Sequence, residues 1–303
     1  MQRAWPSLPL AAWRDTCATL HLWTQIAGKI RLAQTPWTNH SWNVTLYVTV
    51  RGLSTSPIPH GNRTFDLEFD FIDHRLLITT SEGHAAAIPL EPQSVAAFYS
   101  RVMREMKALD LPVSIRTMPS EIADAIPFDQ DETHKSYDRE YAHRFWQVLV
   151  QADRVFKIFR APFTGKCSPV HFFWGGPDLA VTRFSGRPAP PHPGGIPHLP
   201  NWVAREAYSQ EVCSAGFWPG GGPIDYPVFY SYAYPEPAGY ADFTVRPAGA
   251  FYSTDLREFL LPYDQVCTAD SPDDVLLQFL ESTYEAAATL AAWDRTSLER
   301  ARR

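Results

Sequence analysis

The sequence predicts an α+β fold in which two similar lobes each consist of a largely antiparallel sheet with packed helices. Segments with strand-like alternation follow one another across short turn signals, as in an antiparallel meander. Other segments carry apolar residues at steps of three and four, as amphipathic helices do. A similar order of strands and helices occurs twice within the 303 residues. We therefore place the lobes at residues 1–160 and 161–303, tightly packed as one globular unit.

Helices are predicted wherever the apolar spacing is close to 3.6 residues. Four segments show this spacing: residues 10–32, 95–109, 136–159 and 271–292. The first ends with Lys29 and Arg31, where cations favour the helix dipole, and Pro36 stops it. Ser94 is the expected N-cap of the second.

Strands are predicted where apolar and polar side chains alternate. In the first half this pattern covers three segments: residues 42–50, 65–71 and 75–80. Residues 112–131 carry three prolines and predict a short strand with extended connections, and the six prolines between residues 186 and 200 predict a semi-rigid loop. Loops of that length in a compact domain usually serve function or linkage.

An internal duplication is one explanation of the repeated order. In the first half a strand region contains His40, Trp42 and Arg51, and in the second half a strand region contains a matching set, His171, Trp174 and Arg183. Chance similarity of two strand-strand-helix modules explains the pattern equally well. If the duplication holds, the two lobes face each other and a site between them is natural.

Composition and charge exclude several classes of partner. The net charge is −6 and no run of Lys or Arg occurs, so a footprint for a phosphate backbone is absent. No stretch of about 18 apolar residues is present, which argues against a membrane partner and favours the cytoplasm. The four cysteines lack the spacing of zinc sites or disulfide frameworks: Cys17, Cys167, Cys213 and Cys267.

The common cofactor and catalytic motifs are missing. The sequence contains no G-x-G-x-x-G after a strand, no P-loop, no H-E-x-x-H and no G-x-S-x-G. The run Gly220-Gly221-Gly222 precedes a proline rather than a helix, so it predicts a bend and not a phosphate cradle. We expect no cofactor.

Ionisable residues inside aromatic strand segments are the main candidates for a site. A charge in such a segment needs a partner or a ligand. His171 and His40 are the candidate acid-base residues, with Glu206 orienting the imidazole, and core hydrogen bonding of each histidine is the alternative. Arg183 and Arg51 suit a ligand carboxylate or phosphate, although internal salt bridges explain them equally well.

Further candidates come from the first helix and from two loops. His21, Gln25 and Lys29 are spaced four residues apart, so they form one polar stripe that is either an inner patch or the solvent face. Lys166 precedes the His171 strand and is a ligand-binding candidate, with a solvated loop lysine as the alternative.

Metal binding is a separate alternative. The donor types suited to zinc or iron are supplied by four residues: His171, His192, His198 and Glu206. The two loop histidines lie among prolines, however, and no pair has the i,i+4 spacing that brings two ligands together on a helix. We predict no metal ligand.

Several long strings resemble an uncharacterised bacterial family catalogued only as a domain of unknown function. They are TLHLWTQIAGKIRL (19–32), SPVHFFWG (168–175), DLAVTRFSGR (178–187) and YAYPEP (232–237). The resemblance covers nearly the whole chain and implies a bacterial cytosolic protein, but no activity. The family motif positions matched here are His21, Lys29, His171, Asp178, Arg183, Arg187, Glu206 and Glu211. The chain departs from the family at Ser41, where Trp is usual, and at Gln210, where His is usual, which weakens a metal or acid-base role at the latter.

These observations favour an enzyme, or an enzyme-like binder, for a small anionic metabolite held in a cleft between the lobes. Arg187 adds a further ligand-binding candidate because it lies within one of the matched strings. A non-catalytic scaffold with an aromatic binding face around residues 217–219 and 228–234 is the alternative from another class, and a homodimer is compatible with it. A metal-dependent enzyme using His and Glu ligands is the third hypothesis.

Overall fold

The computed structural model describes residues 4–300 and contains seven helices and two antiparallel sheets. Among these residues the helices are α1 (Arg14–Gln34), α2 (Val95–Ala108), α3 (Arg139–Arg160), α4 (Asn201–Ala207), α5 (Tyr263–Cys267), α6 (Pro272–Leu290) and α7 (Arg295–Leu298). The predicted α+β class is thus confirmed.

The first sheet is formed by residues of the first third of the chain. Its strands are β1 (Tyr47–Val48), β2 (Gly52–Ser54), β3 (Ile58–His60), β4 (Arg63–Asp70), β5 (Arg75–Thr80) and β6 (Ala85–Pro89). The spatial order is β1-β2-β4-β5-β6, and β3 also pairs with β4. Phe65, Leu67 and Phe69 of β4 alternate into the core, as the period-2 pattern predicts.

The second sheet follows α3 along the chain. Its strands are β7 (His171–Phe173), β8 (Asp178–Pro188), β9 (Gln210–Trp218), β10 (Val228–Tyr234), β11 (Phe251–Ser253) and β12 (Glu258–Pro262). The spatial order is β11-β12-β10-β9-β8-β7, again antiparallel throughout. Strands β8, β9 and β10 are the long central strands, and their residues form the floor of the cavity described below.

The two sheets touch through one backbone bridge and share one hydrophobic core. Leu46, just before β1, exchanges two backbone hydrogen bonds with Phe172 of β7, at 2.9 and 2.7 Å. Helix α3 packs against β1 of the first sheet and against β8 and α6 on the other side. The largest cluster of buried apolar side chains therefore contains residues from both halves. The division at residue 160 and the internal duplication stay predictions.

The predicted strand over residues 42–50 is shorter than expected. His40 and Ser41 both have φ of 59°, so the chain turns there, and regular pairing begins only near Leu46. A left-handed conformation is costly for residues other than glycine and persists only where the surroundings hold it. The turn directs Trp42 into a cavity wall instead of a sheet.

The middle of the chain also differs from expectation. Residues 112–131 contain no strand, only a 3-10 turn at Phe128–Gln130. The proline-rich segment has no helix or strand over residues 189–200, but β8 continues into its start as far as Pro188, which pairs with Gln210 beyond an irregularity.

Candidate functional site

A cavity of about 560 Å³ opens between α1, the second sheet, the proline-rich loop and α4. That volume lies within the usual range for small-molecule sites. Much of the wall is aromatic, contributed by Trp37, Trp42, Phe173, Trp174, Phe184 and Trp202. The acidic and basic side chains on the wall are Lys29, His40, Arg116, Glu121, Asp178 and His198.

One face of the second sheet forms the floor of the cavity. Because side chains alternate along a strand, residues at every second position of β8 line it: Asp178, Ala180, Thr182 and Phe184. Neighbouring strands add the residues in register with these. Ser214 of β9 pairs with Thr182 of β8 on one side and with Tyr232 of β10 on the other. The register thus places a row of hydroxyl groups across the floor.

Asp178 and Tyr230 are hydrogen bonded on this floor. The Tyr230 hydroxyl donates to Asp178 Oδ2. It lies directly over Gly216, where a Cβ atom would be 2.4 Å from the hydroxyl oxygen, so only glycine leaves room for this arrangement. Burial raises the pKa of the Asp178 carboxyl to about 7, and the nearby Glu121 charge adds to the rise while the Tyr230 hydrogen bond opposes it. A carboxyl with that pKa exchanges protons near neutral pH.

A second hydroxyl network lies beside this pair. The Tyr208 and Tyr232 hydroxyl oxygens are 2.8 Å apart, as are Thr182 Oγ1 and Ser214 Oγ. Burial raises the pKa of Tyr208 to about 12 and also raises that of Tyr232, so both stay protonated and act as hydrogen-bond donors or acceptors.

Glu121 faces Asp178 from the connection between α2 and α3. Its backbone has φ of 65° and its amide donates to the carbonyl oxygen of Pro197 at 2.8 Å, which ties this connection to the proline-rich loop. The carboxylate lies beside Gly175 and is accessible from the cavity. Desolvation by the surrounding protein raises the pKa of the Glu121 carboxyl as well.

The polar stripe of α1 lies inside the molecule. Gln25 is fully buried, donates to the Ser120 carbonyl oxygen at 3.0 Å and accepts from the Ser120 amide at 2.8 Å. One turn later Lys29, 6% exposed, donates to Ser120 Oγ at 3.1 Å. One turn earlier His21 Nε2 lies 2.8 Å from the carbonyl oxygen of Gly175. Burial lowers the pKa of His21 to about 4, so the ring is neutral at physiological pH.

Lys29 and Arg116 make this side of the cavity positive. Neither forms an ion pair with a carboxylate among residues 4–300. The Lys29 ammonium lies 5.8 Å from the Trp174 ring and 6.0 Å from the Phe128 ring. Burial lowers the pKa of Lys29 to about 8, and the charge of Arg116 contributes to the same shift.

His40 lies at the opposite part of the wall and is held from both ring nitrogens. Nδ1 donates to the carbonyl oxygen of Ala207 at 2.8 Å, and Lys166 Nζ donates to Nε2 at 2.5 Å. Burial lowers the pKa of His40, and the charge of Lys166 lowers it further, so the ring is a neutral acceptor. The neighbouring backbone carbonyl, not Glu206, orients this imidazole.

Glu206 belongs to the rim instead. Its Oε1 accepts from Trp37 Nε1 at 2.7 Å, and the Trp37 ring meets the Trp202 ring edge-on at 4.7 Å. Both tryptophans are partly exposed, at 38% and 52%. The proline-rich loop, through its residues 196–200, completes the rim.

His171 is completely buried behind the cavity wall. It is in register with Ala180 and so shares the cavity face of the sheet, but Phe173 and Trp42 lie against its ring, at 4.7 and 6.4 Å. Neither ring nitrogen has a hydrogen-bond partner among the described residues. Burial lowers the pKa of His171 to about 3, with the Arg31 charge adding to the shift. The structure does not place it where it reaches a cavity ligand.

Arg183 lies on the opposite face of β8. Its guanidinium stacks on Phe159 at 3.5 Å and on Tyr284 at 4.2 Å, and it donates to the Phe159 carbonyl oxygen. Glu281 approaches it at 4.0 Å. Since Arg183 is one residue from the cavity-lining Thr182, the alternation of the strand directs it into the core between α3 and α6.

The other two predicted arginines are also remote from the cavity. Arg51 donates to Asp70 and Asp73, at 2.9 and 2.8 Å, on the first sheet. Arg187 pairs with Glu211 at 2.6 Å and donates to the carbonyl oxygens of Ala291 and Ala292, directly after the end of α6. Of the nine predicted site residues, only Lys29 and His40 line the cavity, and four others contact residues that line it: His21, Lys166, His171 and Glu206.

The residues that sequence reasoning did not select are Asp178, Tyr230, Glu121 and Arg116. Asp178 had a signal, because it lies within a matched string and begins the alternation Asp178, Ala180, Thr182. Glu121 and Arg116 lie in a segment without regular structure, so no local pattern indicates where their side chains point.

Neither a metal cluster nor a membrane-crossing helix occurs between residues 4 and 300. No three His, Cys, Asp or Glu side chains in this range converge as metal ligands. His192 stacks on Tyr208 at 4.7 Å. None of the helices in the same range is both long and apolar enough to span a bilayer.

Comparison with known proteins places the chain in a class defined by sequence alone. A family model described as a family of unknown function, DUF5996, matches residues 5–300. The chain belongs to this family, which confirms the resemblance noted from the sequence strings. No curated protein and no solved structure matches it.

Proposed function

We propose that the protein is an enzyme that binds a small organic acid with an apolar body in this cavity and acts on it by proton transfer. One observation carries the proposal: Lys29 and Arg116, neither of which pairs with a carboxylate among residues 4–300, line an aromatic cavity whose floor holds a hydrogen-bonded carboxyl and tyrosine. A bound anion would supply a counter-charge for the buried Lys29 ammonium and a partner for the exposed Arg116 guanidinium.

The aromatic wall supports an apolar or ring-shaped ligand body. Flat side chains such as Trp42, Trp174 and Phe184 bury a ring with favourable stacking or edge contacts. Arg116 is the better anchor for the acid group, because a guanidinium matches a carboxylate with two parallel hydrogen bonds.

Asp178 supports the enzymatic part of the proposal. General acid-base catalysis is most efficient when the catalytic pKa is close to the working pH, and burial brings the Asp178 carboxyl to about 7. Tyr230 orients it through the hydrogen bond described above. Glu121, which also lines the cavity, provides a second proton-transfer group.

A scaffold function with an aromatic face has less support. Phe217, Val228 and Phe229 are fully buried, and Tyr230 is 8% exposed. These side chains fill the core or the cavity floor, so they offer little surface to a second chain.

The test is a calorimetric titration with three ligands that share one ring and differ in the end group: phenylacetate, 2-phenylethanol and 2-phenylethylamine. We expect the acid to bind most tightly. Arg116→Gln should weaken the acid about tenfold, a loss of ~1.4 kcal/mol, and leave the alcohol unchanged. Arg104→Gln, on the exposed face of α2, is the matched control. Tightest binding of the amine, or equal binding of the acid to both arginine variants, would contradict the proposal.

A further inference from the structure

Lys29 is unusual among the five lysines of the chain. It lines the cavity, is 6% exposed and has no carboxylate within ion-pair distance among residues 4–300. By contrast, Lys157 is exposed and pairs with Asp153 at 2.6 Å. A buried ammonium without a counter-charge is costly, so burial lowers the pKa of Lys29 and raises its fraction of free amine above that of an exposed lysine.

The surroundings of Lys29 suit a neutral amine as well as an ammonium. Its one hydrogen-bond partner among residues 4–300 is Ser120 Oγ, a hydroxyl that can accept from the ammonium or donate to the lone pair of the amine. Gln25 fixes Ser120 by bonding both its amide and its carbonyl group, so the hydroxyl stays beside Lys29 in either state. Arg116 repels a second positive charge across the same wall.

We infer that Lys29 is a nucleophile that forms an imine with the carbonyl group of a small oxo acid bound in the cavity. The inference rests on the proposed function, because it needs the same cavity and the same anion anchor, and it narrows the ligand to an aldehyde or ketone. Arg116 then holds the carboxylate, while Lys29 meets the carbonyl carbon.

The reaction balances without any further reagent. The amine nitrogen of Lys29 adds to the carbonyl carbon and forms a carbinolamine. The former carbonyl oxygen then leaves as water, carrying the two protons that were on the nitrogen, and a carbon–nitrogen double bond remains. A desolvated lysine next to another cation is the arrangement that makes an amine reactive at neutral pH.

Lys166 is the competing lysine, and its environment differs. Its Nζ donates to His40 Nε2, and it is not part of the cavity wall. The three remaining lysines, Lys107, Lys135 and Lys157, do not line the cavity either.

The test is reductive trapping of the full-length protein with phenylpyruvate and sodium borohydride at pH 8, followed by intact-mass measurement and peptide mapping. At that pH a lysine with a pKa of about 8 has about a hundredfold more free amine than an ordinary lysine. We expect one adduct per chain, located on Lys29. Lys29→Arg should abolish it, and Lys157→Arg should leave it unchanged.

An adduct on Lys166, an adduct spread over the exposed lysines, or no adduct would overturn the inference. Calorimetric binding of phenylpyruvate to Lys29→Arg separates the two proposals, because Arg116 is intact in that variant. Binding without trapping in the wild-type protein leaves the organic-acid site standing and removes only the imine. Absence of binding to both proteins counts against the site itself.

Discussion

A single-residue offset along β8 decides which polar side chains meet the cavity. Thr182 faces the hydroxyl row of the floor, while the adjacent Arg183 is enclosed between Phe159 and Tyr284. The sequence indicates that β8 is a strand, but it does not indicate which face is hollow. The sequence pattern therefore allowed Arg183 as an anion anchor. The packing of α3 and α6 shows instead that its side chain is buried in the core, away from the cavity.

The buried carboxyl of Asp178 should leave a signature in the pH dependence of stability. Between pH 4 and 7 the unfolded chain has lost this proton and the folded protein keeps it, so rising pH favours unfolding. Asparagine does not ionise, so this pH dependence of the unfolding free energy is absent in Asp178→Asn. We expect the free energy of unfolding of the variant, relative to wild type, to increase by roughly 1–3 kcal/mol from pH 4 to pH 7.

Urea denaturation at four pH values across that range would measure the Asp178 effect. A difference between variant and wild type that stays constant, or that shrinks as the pH rises, would show that the carboxyl is ionised in the folded protein throughout. Histidines such as His21 contribute with the opposite sign, which is why the comparison is made between the two proteins at each pH.

At the level of elements, helices were predicted more accurately than the first strand. The spacing of α1, α2, α3 and α6 is a local property, so their ends fell within a few residues of those observed. The alternation over residues 42–50 was equally regular, yet the left-handed turn at His40 and Ser41 interrupts it. That turn is held by a hydrogen bond from His40 to Ala207, which is distant in sequence and not visible in any local pattern.

Helix α1 and Trp174 approach each other at Gly28. A Cβ atom there would lie 2.1 Å from Trp174 Nε1, and this indole is itself held by a 2.7 Å hydrogen bond to the Val44 carbonyl oxygen. Replacing glycine by alanine inside a helix normally stabilises it by about 0.5–1 kcal/mol. For Gly28→Ala we expect the reverse, a loss of about 1–3 kcal/mol, because the rigid ring must move.

Chemical denaturation of Gly28→Ala, alone and combined with Trp174→Leu, would measure this contact. The smaller leucine removes the overlap, so the alanine should cost little or nothing in the double variant. Equal effects in both backgrounds would mean that the approach of α1 to the indole is not the cause.

At the scale of the whole molecule, the cavity exists because separate parts of the chain meet. Lys29 comes from the first helix, Glu121 from the central connection, and Asp178 and Tyr230 from the second sheet. Sequence analysis predicted a cleft between two lobes, and that division stays a prediction; the observed cavity is lined by residues of α1 and of the second sheet. Sequence analysis did not predict the contribution of residues 114–121, since their position depends on the bonds of Gln25 to Ser120.

The shared core predicts that the chain unfolds as one unit. Helix α3 packs against elements of both halves, so neither sheet can lose its packing without exposing part of the other. We expect a single calorimetric transition in which the calorimetric and van't Hoff enthalpies agree. Two transitions, or a well-folded fragment ending at residue 160, would instead support two independent domains.

The aromatic wall has an optical consequence. Four of the ten tryptophans line the cavity, Trp37 and Trp202 at its partly exposed rim and Trp42 and Trp174 deeper inside. Indole emission shifts to shorter wavelength when water is displaced from around the ring. The chain therefore carries its own fluorescent indicator of occupancy, and compounds can be screened against the unlabelled protein by the colour and intensity of its emission.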